Sequence, residues 1–242
     1  VIDSHFHSAD NLSFLTHLAA TGVQGIVNSQ TPAEFALLQK WQSRHPDQGI
    51  TLSAGVHPWD ADHLTAGKMR PILQQVPVIG EIGLDAVWTK NSLSQQRPVF
   101  VEQLAWARDW HKPVILHTKG VEHEILETIR QFPNRYYIHW YDSDQWLPEY
   151  LRLDTYFSVG PSLGLDPVVN RLAAAVPLDR LLLESDGWES IHWASRHPIT
   201  TNQDYDAFMA GLLTQLAALR GLTPLALAAQ LTKNLQNFLH QP

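Results

Sequence analysis

His5 and His7 lie two residues apart in Ile2-Asp3-Ser4-His5-Phe6-His7, at the start of the chain. In an extended strand, residues of equal parity share a face. Asp3, His5 and His7 are therefore expected on one side, Ser4 and Phe6 on the other. Two imidazoles about 7 Å apart along a strand can both turn onto one divalent ion. The pair alone means little, because 13 His in 242 residues produce about 0.7 such pairs by chance. Its weight comes from what recurs downstream. Further apolar runs end in His57, in Glu81 and Asp85, in His117, in His139 and in Asp186. Three His would suit a single zinc. Four His with a Glu and an Asp exceed the needs of one ion, and fit two ions about 3.5–4 Å apart that share a carboxylate. A buried carboxylate is costly unless paired or metal-bound, which favours the joint reading over separate surface roles.

These residues converge only if the strand ends do. Apolar runs alternate with helical spacings along the whole chain. Strands are expected at 2–7, Val23–Val27, Thr51–Val56, Val78–Asp85, Pro113–Leu116, Tyr136–Ile138, Tyr156–Val159 and Leu181–Leu183. Between them the spacing predicts helices from Asp10-Asn11 to Ala20, from Thr31-Pro32, at Gly67–Gln75, Ser94–His111, Glu122–Phe132, Asp144–Leu151 and Pro167–Ala175. Two closing helices follow, one repeating Phe208, Leu212, Leu216 and Leu219, the other capped by Thr223 before Pro224. Apolar strands without alternation are those of a parallel sheet buried on both faces. Eight such units predict an α/β protein with a compact (β/α)8 TIM-type barrel, one domain over 1–242. The mouth of such a barrel gathers side chains from the C-terminal ends of its strands. No Gly-rich phosphate loop follows a strand, which weighs against an open doubly wound sheet.

Composition narrows the class. Hydrophobic residues make up 44% and charged residues 17%, enough for a sizeable core and unlike a disordered chain. The net charge of −7 argues against a protein that coats nucleic acid through a broad basic face, but not against an enzyme that grips one phosphate through bound cations. No apolar run spans a membrane, and zero Cys excludes thiolate ligands while fitting a cytoplasmic setting.

The ordered set Asp3-Ser4-His5-Phe6-His7, Gly55-Val56-His57-Pro58, Gly80-Glu81-Ile82-Gly83-Leu84-Asp85, Leu116-His117-Thr118, His139, Leu182-Leu183-Glu184-Ser185-Asp186 and Asn234 resembles the TatD family of metal-dependent hydrolases. The resemblance implies a (β/α)8 barrel with two divalent ions. His5, His7 and Asp186 would hold one, His117 and His139 the other, and Glu81 would bridge them. It also implies nuclease action on DNA, often as a 3′-to-5′ exonuclease. The residue chemistry agrees: a hydroxide between two ions is a nucleophile at neutral pH, and Asp186 is the candidate to handle the water's proton. Mixed imidazole and carboxylate ligands suit zinc or manganese better than magnesium alone. His57 is expected to meet a substrate phosphate or to donate from behind the ligands. Lys119 could meet a phosphate, a solvated surface Lys being the plainer reading. Asp3, Asp85 and Asn234 are expected to orient ligands or loops.

The chain departs from the family pattern around its rim. Trp140-Tyr141-Asp142-Ser143 follows His139, Gly187-Trp188-Glu189-Ser190 follows Asp186, and Arg196-His197-Pro198-Ile199 stands where an Asn-x-Pro segment is usual. His139-Trp140-Tyr141 with Ser158-Val159-Gly160 is similar to TatD-type nucleases found with anti-phage defence genes. Trp59, Trp140 and Trp188 follow ligand positions closely enough to stack unpaired bases, each stack contributing about 1–3 kcal/mol. The leading expectation is thus a two-metal phosphodiesterase acting on single-stranded DNA. The alternatives are hydrolysis of a small ester, lactone or amide, and a nucleic-acid-binding subunit that depends on a protein partner.

Overall fold

The structure, a computed structural model, describes residues 2–8, 10–46 and 48–240. The two ends of the expected 1–242 domain, with Ala9 and Asp47, lie outside the described residues. Eight strands alternate with helices: β1 (Ile2–His7), β2 (Gln24–Ser29), β3 (Ile50–Ala54), β4 (Val78–Asp85), β5 (Val114–Lys119), β6 (Tyr136–His139), β7 (Thr155–Val159) and β8 (Leu181–Leu183). They form one parallel sheet in sequence order. The sheet curls until its edges meet. Past β8, Asp186 N–H donates to the His5 carbonyl at 3.1 Å, and Ser4 Oγ donates to the Leu183 carbonyl at 2.7 Å. The result is a nearly closed (β/α)8 barrel. Every residue of β4 and of β5 is buried, because helices cover the outside and side chains fill the inside.

Local chemistry starts the helices where the sequence signals. Asn11 accepts from Phe14 N–H ahead of Leu12–Ala20. Thr31 and Thr223 do the same ahead of Pro32–Gln42 and Pro224–Leu239, each with Pro at the first position. Two expectations need correction. The helix at 144–151 shrinks to Leu147–Tyr150, because Trp146 takes a left-handed backbone (φ 67°) that a right-handed helix cannot include. An unexpected helix, Trp188–Ser195, follows Asp186 directly and builds part of the rim.

Two bulges overturn the simple parity of the ligand strands. Asp3 pairs with Gly25 and Phe6 with Val27, so β1 spends three steps where β2 spends two. Likewise Ile79 pairs with Val114 and Ile82 with Leu116, which puts one extra residue into β4. Such an insertion re-aims the side chains beside it. His5 and Glu81 sit inside these insertions. Gly83 lets β4 lie close to β5, since a Cβ there would stand 1.9 Å from the His117 carbonyl oxygen. Asp3 consequently does not share the face of His5 and His7. Its carboxylate accepts from Ser185 N–H (2.8 Å), Ser185 Oγ (2.5 Å) and Tyr205 Oη (2.6 Å) of the helix Asn202–Leu219. It ties β1 to the segment after β8 and to the helical layer.

Asn234 acts at the other end of the barrel. Its Nδ2 donates to the carbonyls of Leu178 (2.7 Å) and Leu181 (2.8 Å), where the chain enters β8. Removing both donors strands two carbonyl groups, and Asn234→Ala is expected to lower unfolding free energy by about 2 kcal/mol, read by urea denaturation. Burial pushes the Asp3 carboxyl up to about 7 in spite of its three donors. The native state then holds a proton that the unfolded chain has released, and stability falls as pH rises from about 4 to about 7. Urea midpoints across that range should decline more steeply in the wild type than in Asp3→Asn. Parallel profiles would remove Asp3 as the source.

Candidate metal centre

Glu81 stands at the centre of the mouth, almost fully buried. One oxygen faces the β1 imidazoles. Oε2 lies 3.4 Å from His5 Nε2 and 3.4 Å from His7 Nε2. Asp186 Oδ1 lies 3.5 Å from each of the same two nitrogens. An ion with four ligands at ~2.1 Å sits in a tetrahedron with edges of about 3.4 Å, so four of the six edges match. His5 Nε2 and Asp186 Oδ1 are also buried without a hydrogen-bond partner. Buried polar atoms are rarely left so, and these residues fit a divalent cation.

The other oxygen, Glu81 Oε1, lies 2.8 Å from His117 Nδ1 and 3.5 Å from both His139 Nε2 and His57 Nε2. His5, Glu81, His139 and Asp186 form one group of ligand-type atoms, and His57, Glu81 and His117 form a second. His139 thus stands between the two, 3.9 Å from Asp186 Oδ1 as well. His57 is nearer the ligand atoms than its expected place beside a substrate phosphate. Its hydrogen bonds define what it can do there. His57 Nδ1 accepts from Trp59 N–H at 3.2 Å, as the cap of the short turn Pro58–Asp60. Burial holds its pKa down to about 4, so the ring is neutral at pH 7. On this hydrogen-bond pattern the remaining proton sits on Nε2, which lies 3.2 Å from His117 Nδ1 and 3.5 Å from Glu81 Oε1, inside the second group of ligand-type atoms.

Carboxylates stand behind two of the imidazoles. His117 Nε2–H donates to Asp85 Oδ2 at 2.9 Å. Asp85 also accepts from Trp59 Nε1–H (2.7 Å) and from Val87 and Trp88 N–H (2.7 and 2.8 Å). These donors, led by His117, overcome burial and hold it below the usual carboxylate range. Asp85 thus holds both a ligand-type ring and a loop. Glu184, not singled out from the sequence, stands behind His139. Its Oε1 is 3.0 Å from His139 Nδ1, outside hydrogen-bond alignment, and accepts from Trp140 N–H at 2.9 Å. Its Oε2 accepts from Tyr137 Oη at 2.7 Å. A signal existed, since Glu184 shares strand parity with Asp186 two residues on. Carboxylates behind imidazoles fix ring orientation and raise ligand basicity.

Burial alone would raise the Glu81 carboxyl, but His139 and His57 beside it, the bond from His117 and the nearness of His5 hold it well below its ordinary value. Asp186 is likewise lowered against burial, chiefly by His139 and His5. Burial would lower the His5 imidazole, yet Asp186 and Glu81 raise it well above its usual range. The carboxylates therefore stay anionic at neutral pH, the form that attracts a cation.

Two cavities open onto this centre. The larger, about 770 Å³, runs over the ends of β1 and β2, past Trp59 and Trp188. Asn28, the sheet neighbour of His7, lines it with a buried Nδ2 that has no partner, while Ser53 Oγ donates to its Oδ1 at 3.0 Å. The smaller, about 340 Å³, lies beside Trp59, Trp140 and Lys119. Trp188 packs on Phe14, with ring centroids 5.1 Å apart, so only part of its indole faces the cavity. Lys119 is not solvated. Its Nζ donates to the Trp140 carbonyl and to Asp142 Oδ2, each at 2.8 Å, and it braces the rim.

The family described as TatD related DNase matches residues 2–240. Among curated relatives, the 3′-5′ ssDNA/RNA exonuclease TatD of Rahnella sp. is 26% identical, over 90% of this chain and 88% of its own. An uncharacterized metal-dependent hydrolase of Buchnera aphidicola is 24% identical, over 100% of this chain and 97% of its own. Among solved structures, the TatD homologue YJJV of Escherichia coli superposes with a TM-score of 0.81 at 21% identity, over 100% of this chain and 98% of that one. A TatD family hydrolase of Entamoeba histolytica superposes with a TM-score of 0.80 at 14% identity, over 98% and 97%. The match along nearly the whole chain, the barrel and the imidazole–carboxylate mouth agree, and the chain belongs to the TatD family of metal-dependent hydrolases.

Proposed function

We propose that the chain is a phosphodiesterase that shortens single-stranded nucleic acid, DNA foremost, from the 3′ end with two divalent ions at its mouth. The observation that carries this reading is Glu81 between two sets of ligand-type atoms, one oxygen to each. The names of relatives such as the exonuclease of Rahnella sp. support the substrate class. In this reading His5, His7 and Asp186 would hold one ion, His117 and His139 the other, and Glu81 would serve both. The donor set favours zinc or manganese over magnesium alone. Zero Cys fits a cytoplasmic setting, and 1–242 is read as one catalytic domain.

Divalent ions, when bound, acidify the attacking water and offset charge on the phosphoryl group. The chain's own groups do the rest. Asp186 accepts the water's proton, with its Oδ2 steadied by Ser190 Oγ at 2.8 Å. His57 Nε2–H donates to a phosphoryl oxygen, which a neutral ring held by Trp59 N–H is set to do. The indoles of Trp59 and Trp140, at the cavity walls, hold bases by stacking.

Single-stranded DNA labelled at the 5′ or the 3′ end, incubated with manganese, magnesium or chelator, tests this directly. The expected result is a metal-dependent ladder that shortens from the 3′ end and disappears in Glu81→Ala. Intact DNA with metal bound, together with hydrolysis of small esters, would assign the other substrate class. Glu184→Gln keeps the shape behind His139 but removes its charge. Metal affinity should fall about 10- to 100-fold, read by competition with a chromophoric chelator, and an unaltered affinity would limit Glu184 to packing.

A further inference from the structure

The structure points to a short substrate: we infer that the site takes a phosphodiester joining two or a few nucleosides, with one base held in a chamber formed by Trp88, Trp140 and Trp193. This rests on the phosphodiesterase reading and narrows its substrate.

The first observation is the chamber. Trp88 and Trp193 are each 52% exposed, although indoles are usually buried on average. Their rings meet edge to face at 5.2 Å, and Trp140 stands 6.2 Å from Trp193. Together they wall the 340 Å³ cavity that reaches His117, His139 and Asp186. That volume lies at the small end of ligand sites, about 300–1,000 Å³. Half-exposed indoles gathered at one opening are an unfinished aromatic cluster, and a flat base completes it. Asp142 and Glu189 at the same walls can accept from exocyclic amines.

The second observation is where the cations are. Among the described residues, no Lys or Arg lines the larger cavity, while Asp10, Glu34 and Glu189 do. Lys119 lines the chamber, but its charge is engaged by Asp142. Several other basic side chains act at the far end of the barrel. Lys112 donates to the carbonyls of Leu73, Gln74 and Val76. Arg135 pairs with Asp154, and Arg180 donates to the Thr155 carbonyl. Arg220 donates to the carbonyls of Ala173, Ala174 and Val176.

Long single strands gain affinity from each phosphate that a Lys or Arg neutralises. With divalent ions bound, the phosphodiester at the metal centre would be matched by cations, whereas a further phosphate along the larger cavity would meet Asp10, Glu34 and Glu189 and, among the described residues, no Lys or Arg. Along that cavity a longer chain adds repulsion without adding a Lys or Arg contact. A dinucleotide adds one base for the chamber and no second phosphate.

The test is a length series from dinucleotide to long single strands, cleaved by the manganese-loaded protein at low and high salt. The expected kcat/KM is highest for di- and trinucleotides and falls about tenfold or more for long strands, with a log–log salt slope near −0.7, the value for about one phosphate contact. Trp88→Ala and Trp193→Ala should each raise the dinucleotide KM about tenfold, acting on KM more than on kcat. A non-hydrolysable dinucleotide analogue should quench indole fluorescence in the wild type, and less in Trp193→Ala. A KM that falls steadily with length, with a steep salt slope, would overturn the short-substrate inference and leave the phosphodiesterase reading standing. Metal-loaded protein that cleaves no length would overturn both.

Discussion

The architecture of the mouth depends on one buried carboxylate. Glu81 is surrounded by imidazoles on β1, β5 and β6 and on the loop after β3, and each oxygen has its own set. A carboxylate in that position costs free energy unless cationic or donor groups surround it. The barrel supplies them by bringing adjacent strand ends to one point. That point is reached because β4 carries an extra residue opposite β5 and lies against it at Gly83. A regular β4 would aim position 81 elsewhere, and the imidazoles would lose their common partner.

Outside this centre the structure is organised in layers of support. Asp85 accepts from His117 and Glu184 stands behind His139, and both are held by Trp59, Tyr137 and the backbone of the rim. Two rim positions, Trp140 (φ 39°) and Asp186 (φ 58°), take left-handed backbone without being Gly. Strained backbone of this kind persists only where neighbours over-determine it. For Trp140 the neighbours are Glu184 Oε1 and Ser158 Oγ, both accepting its N–H at 2.9 Å. For Asp186 it is the His5 carbonyl, reached at 3.1 Å. The same bonds that close the barrel therefore set the backbone that presents Asp186.

The charge distribution follows the same axis. Carboxylates collect at the mouth, where Glu81 and Asp186 face the imidazoles. Lys112, Arg135, Arg180 and Arg220 cap backbone carbonyls and carboxylates at the closed end. Whole-chain charge does not show this separation of acidic and basic groups along the barrel axis.

The amino-acid sequence by itself determined the barrel, since alternating apolar runs and helix caps at Asn11, Thr31 and Thr223 are local signals read within a few residues. It also determined which residue types reach the mouth, because strand ends converge in this topology whatever the details. Parity was legible only while strands stayed regular. The bulge in β1 turned Asp3 toward Tyr205 and away from His5, and no local pattern marks an inserted residue that depends on its neighbour's register. The place of Glu184 behind His139, the hydrogen bonds of His57, the bracing role of Lys119 and the helix Trp188–Ser195 were settled by tertiary structure, strand parity having marked only Glu184. They depend on partners such as His139 for Glu184, His117 for His57 and Asp142 for Lys119, and contacts across strands and rim loops are set by how the barrel closes, not by the spacing of residues along the chain.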